Sequence, residues 1–118
     1  MSDCLFCSMV AGEIPADVVL QTDRVFAFRD INPQAPTHVL VIPKDHYVTA
    51  AELAAADAGL LAEVVSGAHQ VARQEGLVTD GTEPGYRLVT NTGRQAGQSV
   101  FHVHVHVLGG RRMEWPPG

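Results

Sequence analysis

The spacing of apolar and polar residues along the chain divides it into short elements. Residues 5–11 read as one short helical segment, stopped near Gly12 and the Glu13-Ile14-Pro15 turn. VVLQT (18–22) and VFAFRD (25–30) are β-rich runs on either side of Asp23-Arg24, which predicts a hairpin. THVLVIP (37–43), bounded by Pro36 and Pro43, predicts a further strand. Thr49 and Glu52 have capping-box spacing. Leu60, Leu61, Val64, Val65, Ala68, Val71 and Ala72 then recur at helical intervals as far as Gly76. They predict one long helix whose apolar stripe covers a sheet. A polar loop with Asp-Gly and Pro-Gly pairs follows, and YRLVTNT (86–92) and SVFHVHVHVL (99–108) predict the last two strands. The order β-β-β, long helix, β-β predicts an α+β fold with a largely antiparallel sheet. No repeat, low-complexity tract or linker interrupts it, so residues 1–118 read as one domain.

The last apolar run carries the densest chemistry. Side chains alternate between the faces of a strand, so His102, His104 and His106 project one way and Val103, Val105 and Val107 the other. The valines are the core-facing set. Three readings of the histidines remain open at this level: a polar strand face, a metal site, or acid-base and nucleophilic chemistry by imidazole. The preceding loop, NTGRQAGQS (91–99), lets backbone amides approach an anion, with Asn91, Gln98 and Ser99 as short polar donors. There is no G-x-x-x-x-G-K-[ST] phosphate loop.

Composition narrows the choice of partner. The chain has 13 acidic and 8 basic side chains, a net charge of -5, and a single lysine, Lys44. No basic stripe is present to displace counterions, which argues against nucleic acid. No apolar run approaches the roughly 20 residues that span a bilayer. The N-terminus lacks the basic start and apolar centre of a secretory signal, so a cytoplasmic location is expected. There Cys4 and Cys7, a lone C-x-x-C, suggest half a metal site or a redox pair before a structural disulfide.

His102-Val-His104-Val-His106-Val-Leu resembles the H-φ-H-φ-H-φ-φ motif of the histidine triad superfamily. DINPQAPTHVLVIPK (30–44), Gly97-Gln98-Ser99 and the terminal Trp115-Pro116-Pro117-Gly118 resemble its Hint branch, the purine nucleoside phosphoramidases. The resemblance covers nearly the whole chain. It implies an antiparallel five-stranded sheet with one long helix and a short N-terminal helix, the sheet continuing across a homodimer. It also implies hydrolysis of purine nucleoside 5′-phosphoramidates and acyl-adenylates, derivatives of AMP or GMP, to the nucleoside monophosphate.

By the same resemblance His104 is the nucleophile, forming a covalent nucleotidyl-histidine that water cleaves. His106 hydrogen-bonds a phosphate oxygen, Ser99 lies beside the leaving group, and His38 packs behind the triad. Asp30 accepts the ribose hydroxyls. Phe6, Phe28, Ile31 and Leu40 wall the base pocket, and Asn91, Gly97 and Gln98 stand with Ser99 around the phosphate. No organic cofactor is implied. Some superfamily members carry zinc on residues matching Cys4, Cys7, His46 and His102, a closed tetrahedral set for a structural ion. Two rivals stand beside this reading: a dinucleoside polyphosphate hydrolase, and a nucleotide-sensing or scaffold protein with incidental catalysis.

Overall fold

Helix α1, Leu5–Val10, opens at Cys4, whose extended backbone and thiol, 3.4 Å from the Cys7 amide, cap the first turn. The computed structural model describes residues 3–80 and 84–118. The predicted hairpin is β1, Val18–Gln21, and β2, Val25–Arg29. It turns where the Thr22 hydroxyl accepts the Arg24 and Val25 N–H groups. Strand β3 spans Thr37–Pro43, as the bounding prolines predict.

The expected single long helix is two, α2 at Ala50–Ala56 and α3 at Ala58–Gln74. The break is Asp57. Its carboxylate accepts the Leu60 N–H at 3.0 Å and so caps a new helix, while Arg24 holds it at 2.6 Å. The Thr49 cap forms, with the hydroxyl 3.1 Å from the Glu52 N–H; the Glu52 side chain reaches back one residue further, to Val48. Gly76, at φ 77°, follows α3 in the left-handed conformation that ends helices. The predicted Asp-Gly turn at residues 80–81 lies partly outside the described residues.

Strand β4 is Tyr86–Val89 and β5 is Val105–Gly109, both shorter than predicted. Two side chains and one loop carbonyl take over the ladder partners. The His102 ring donates to the Pro43 carbonyl at 2.8 Å, the Val103 N–H goes to the Tyr47 carbonyl at 2.7 Å, and the Thr90 hydroxyl donates to the His104 carbonyl at 3.0 Å. The five strands form one sheet in the order β1-β2-β3-β5-β4, with every pair antiparallel.

Both faces of the centre are covered. Ala27, Val39, Val41, Val105 and Val107 lie under α3, against Leu60, Val64, Ala68 and Val71. Each fully buried valine or leucine contributes about 1.5–3 kcal/mol. Phe26, Phe28, Leu40 and Ile42 face the other way and pack with Phe6 of α1. That second face, where Leu40 pairs with His106, carries the candidate site. No described helix is long and apolar enough to cross a membrane.

Candidate active site and metal cluster

The triad keeps its alternation although β5 begins only at Val105. Val103, Val105 and Val107 are in the core, and the rings of His104 and His106 stand 5.0 Å apart on the opposite side. His102 is wholly buried and His104 is 7% exposed.

Hydrogen bonds assign the proton of each ring, to Nδ1 in His104 and to Nε2 in His38 and His106. His104 Nδ1–H donates to the His102 carbonyl at 2.8 Å, which leaves the lone pair on Nε2. His38 Nδ1 accepts the Gln34 N–H at 3.0 Å, so the His38 proton is on Nε2 and is donated to His106 Nδ1 at 2.8 Å. His106 therefore carries its own proton on Nε2. Burial, reinforced by His104 and His38 and opposed by Asp30, pushes His106 down to about 4. Burial lowers His38 as well, against the pull of Asp30. At neutral pH the pair is an uncharged relay that ends in a donor on His106.

His104 and His106 line a cavity of about 620 Å³, a size suited to a nucleotide. Six further residues singled out in the sequence, Phe6, Phe28, Asp30, Ile31, Leu40 and Ser99, line it too. The Phe6 ring meets His104 edge-on at 5.2 Å and Phe28 at 5.3 Å. One Asp30 oxygen accepts the Asn32 N–H at 2.8 Å, and the other lies 3.5 Å from His38 Nε2. Met9, Ala16 and Val100 also line the cavity and were missed. Only Met9 had a usable signal, its place one turn beyond Phe6 on the apolar side of α1.

Three sequence candidates take other positions. Gln98 is buried and braces the loop: its carbonyl oxygen accepts the Gly93 N–H at 2.9 Å, and its amide donates to Val48 and Val100 carbonyls at 2.7 and 3.2 Å. Gly97, at φ 98°, ends the short 3-10 turn Arg94–Ala96, and its N–H is taken by the Arg94 carbonyl. Asn91 lies beside Gly97. None of the three lines the cavity.

Cys4, Cys7, His46 and His102 converge, with their ligand atoms all within 4.8 Å of one another. His102 Nδ1 stands 3.4 Å from Cys4 Sγ, 3.5 Å from Cys7 Sγ and 3.2 Å from His46 Nδ1, and Cys7 Sγ is 3.5 Å from His46 Nδ1. A tetrahedral zinc with ordinary bond lengths sets S–N edges of about 3.5 Å and an N–N edge of about 3.3 Å. The four residues fit the ion. His102 Nε2–H is fixed on the Pro43 carbonyl and burial lowers the ring's proton affinity, so Nδ1 offers a free lone pair to a metal. Asp30, His38 and His106 also cluster, but the His38–His106 hydrogen bond makes that group a proton relay rather than a ligand set.

The HIT domain family matches residues 11–113. A 14 kDa zinc-binding protein of Zea mays is 48% identical over 119 aligned positions, covering 99% of this chain and 89% of that protein. The purine nucleoside phosphoramidase of Escherichia coli K12 is 45% identical over 109 residues, covering 92% and 88%. A crystal structure of a HIT family hydrolase from Legionella pneumophila superposes with a TM-score of 0.91 at 51% identity, covering 98% of this chain and all of that one. With the triad, the five-stranded sheet and these relatives in agreement, the chain belongs to the HIT domain family.

Proposed function

We propose that this chain is a hydrolase of purine nucleoside 5′-phosphoramidates and acyl-adenylates, acting through a covalent nucleotidyl-histidine on His104. The observation that carries the reading is the opposed protonation of two neighbouring rings. His104 has its proton on Nδ1, held by the His102 carbonyl, and His106 has its proton on Nε2, set by His38. One ring offers a nucleophile and the other a hydrogen-bond donor to the phosphoryl oxygens.

In this reading the base lies among Phe6, Phe28, Ile31 and Leu40, and the Asp30 carboxylate accepts the ribose hydroxyls. His104 Nε2 attacks the α-phosphorus, and the bond from phosphorus to the amine nitrogen breaks with its electron pair going to nitrogen. That nitrogen takes a proton from solvent, so that the neutral amine leaves beside Ser99. His106 Nε2–H stabilises the developing oxyanion. Water then attacks the phosphorus and gives up a proton to solvent, which balances the one the amine took. The bond to His104 breaks with its electron pair returning to Nε2, and AMP or GMP departs. Neutral imidazole suits both halves, being a nucleophile near pH 7 and a fair leaving group from phosphorus. Gln98, Gly97 and Asn91 shape the loop that presents Ser99. Cys4, Cys7, His46 and His102 would hold zinc, which would supply a cross-link rather than chemistry. The relatives named for phosphoramidase and zinc-binding properties support this reading. We place the protein in the cytoplasm as a homodimer, with the open edge of β4 continuing the sheet into a second copy.

The test is His104→Asn assayed on an adenosine 5′-phosphoramidate with a fluorogenic amine. Turnover should fall at least about a thousandfold, since a covalent route has no substitute for its nucleophile, while AMP still binds. Near-normal hydrolysis by the variant, or no hydrolysis by a wild-type protein that binds AMP, would overturn the proposal.

A further inference from the structure

The carbonyl that orients His104 sits on backbone that belongs to no strand. Pairing between β3 and β5 ends at Val41 and Val105, so residues 102–104 have no ladder to hold them. What holds them is local. The Val103 N–H bonds the Tyr47 carbonyl and the His102 ring bonds the Pro43 carbonyl, both on the segment that leaves β3. The Thr90 hydroxyl ties down the His104 carbonyl from the end of β4. The anchor on the His102 side is the cluster, where His102 Nδ1 meets Cys4 and Cys7 from α1 and His46 from the segment after β3. His102 thus spans two sites. Its ring belongs to the cluster, and its carbonyl accepts the His104 Nδ1–H at 2.8 Å.

We propose that Cys4, Cys7 and His46 are positioning residues for the nucleophile, acting through His102, so that a metal in the cluster sets the rate of nucleotidyl transfer to His104. The inference rests on the proposed function for its rate readout only. A metal joins three segments that the sheet does not join there: the start of α1, the turn after β3 and the approach to β5. Without it the His102 ring keeps its bond to Pro43, but at Nδ1 long thiol and imidazole contacts of 3.2–3.5 Å replace a coordinate bond. Its carbonyl then ranges over positions that let the His104 ring turn. Displacements near 1 Å at a reacting group cost on the order of a hundredfold in rate. Nucleotide affinity should respond far less. Phe6 is 3% exposed and is packed against Phe28, Leu40 and Ile42, none of which is a cluster ligand.

The experiment compares zinc-loaded protein, the same protein after chelation, the chelated protein reloaded with zinc, and His46→Ala. His46 is an exposed ligand that does not line the nucleotide cavity. Three readouts are taken: the His104 Nδ1–H signal in ¹⁵N-histidine-labelled protein, single-turnover formation of nucleotidyl-enzyme from an adenosine 5′-phosphoramidate, and AMP affinity. Chelation and His46→Ala should broaden the Nδ1–H signal and slow nucleotidyl transfer about ten- to a hundredfold. AMP affinity should stay within about threefold, and zinc should restore the chelated protein. An unchanged signal and transfer rate without zinc would overturn the proposal. So would failure to take up zinc, or loss of transfer, AMP binding and helical signal together, which is plain unfolding. If zinc-loaded protein forms no nucleotidyl-enzyme, the proposed function fails instead, and the Nδ1–H signal alone decides the positioning.

Discussion

Replacing His38 by asparagine and, separately, by glutamine isolates the two ends of its ring. Asparagine reaches about as far as Nδ1 and can still accept the Gln34 N–H, now 3.0 Å from that atom. It cannot reach His106. Glutamine reaches about as far as Nε2 and can replace the donor now 2.8 Å from His106 Nδ1. In His38→Asn the inward nitrogen of His106 loses its donor. An unpaired polar atom at such a half-buried site costs about 1–3 kcal/mol. Moving the His106 proton to Nδ1 removes the donor from Nε2, where the proposed reaction needs it. Loss of one oxyanion donor costs about 10²–10³ in rate. His38→Asn should therefore slow single-turnover hydrolysis of an adenosine 5′-phosphoramidate at pH 7 about a hundredfold, and His38→Gln no more than about tenfold. Both variants alter a side chain in a residue 6% exposed. Their unfolding free energies, read by urea titration, should fall by similar amounts, about 1–3 kcal/mol, so stability does not explain the difference. Equal rates for the two variants would refute the relay.

Stability should also depend on pH through His106. The ring titrates at about 4 when folded, with burial as the main cause and His104 and His38 adding to it, against about 6.5 unfolded. Between these values the unfolded chain binds the extra proton. The contribution is thus complete above pH 6.5 and lost as pH falls towards 4. It amounts to at most about 3 kcal/mol, less what solvent screening removes. His106→Asn should flatten part of that slope in urea titrations, and an identical slope in both proteins would contradict the assignment. At the far end of β5, a Cβ on Gly109 would lie 2.5 and 2.8 Å from the two terminal carbons of buried Leu77. Gly109→Ala should cost about 1–3 kcal/mol by overpacking, and Leu77→Ala in the same chain should recover part of it; strict additivity of the two losses would rule the clash out.

The sequence by itself determined the order of the strands, the boundaries of β3 at its prolines, and which of Val103, Val105 and Val107 or the histidines faced the core. These follow from local rules, since pleat alternation, helical period and proline geometry act between near neighbours. The cavity residues Asp30, Phe6 and Phe28 were legible only because the motif around them resembles a known family. Tertiary structure decided what depended on distant partners. Arg24 lies 33 positions from Asp57 and holds the break between α2 and α3. Gln98 turned inward because the Val48 carbonyl, 50 residues away, was waiting for its amide. Beyond the ends of β4 and β5 the ladder gives way to bonds from the Thr90 and His102 side chains and the Tyr47 carbonyl. The protonation of each triad ring came from atoms that no spacing rule names: the Pro43 and His102 carbonyls and the Gln34 N–H relayed through His38. A histidine's residue type fixes its two nitrogens, but only the folded surroundings choose which of them carries the proton.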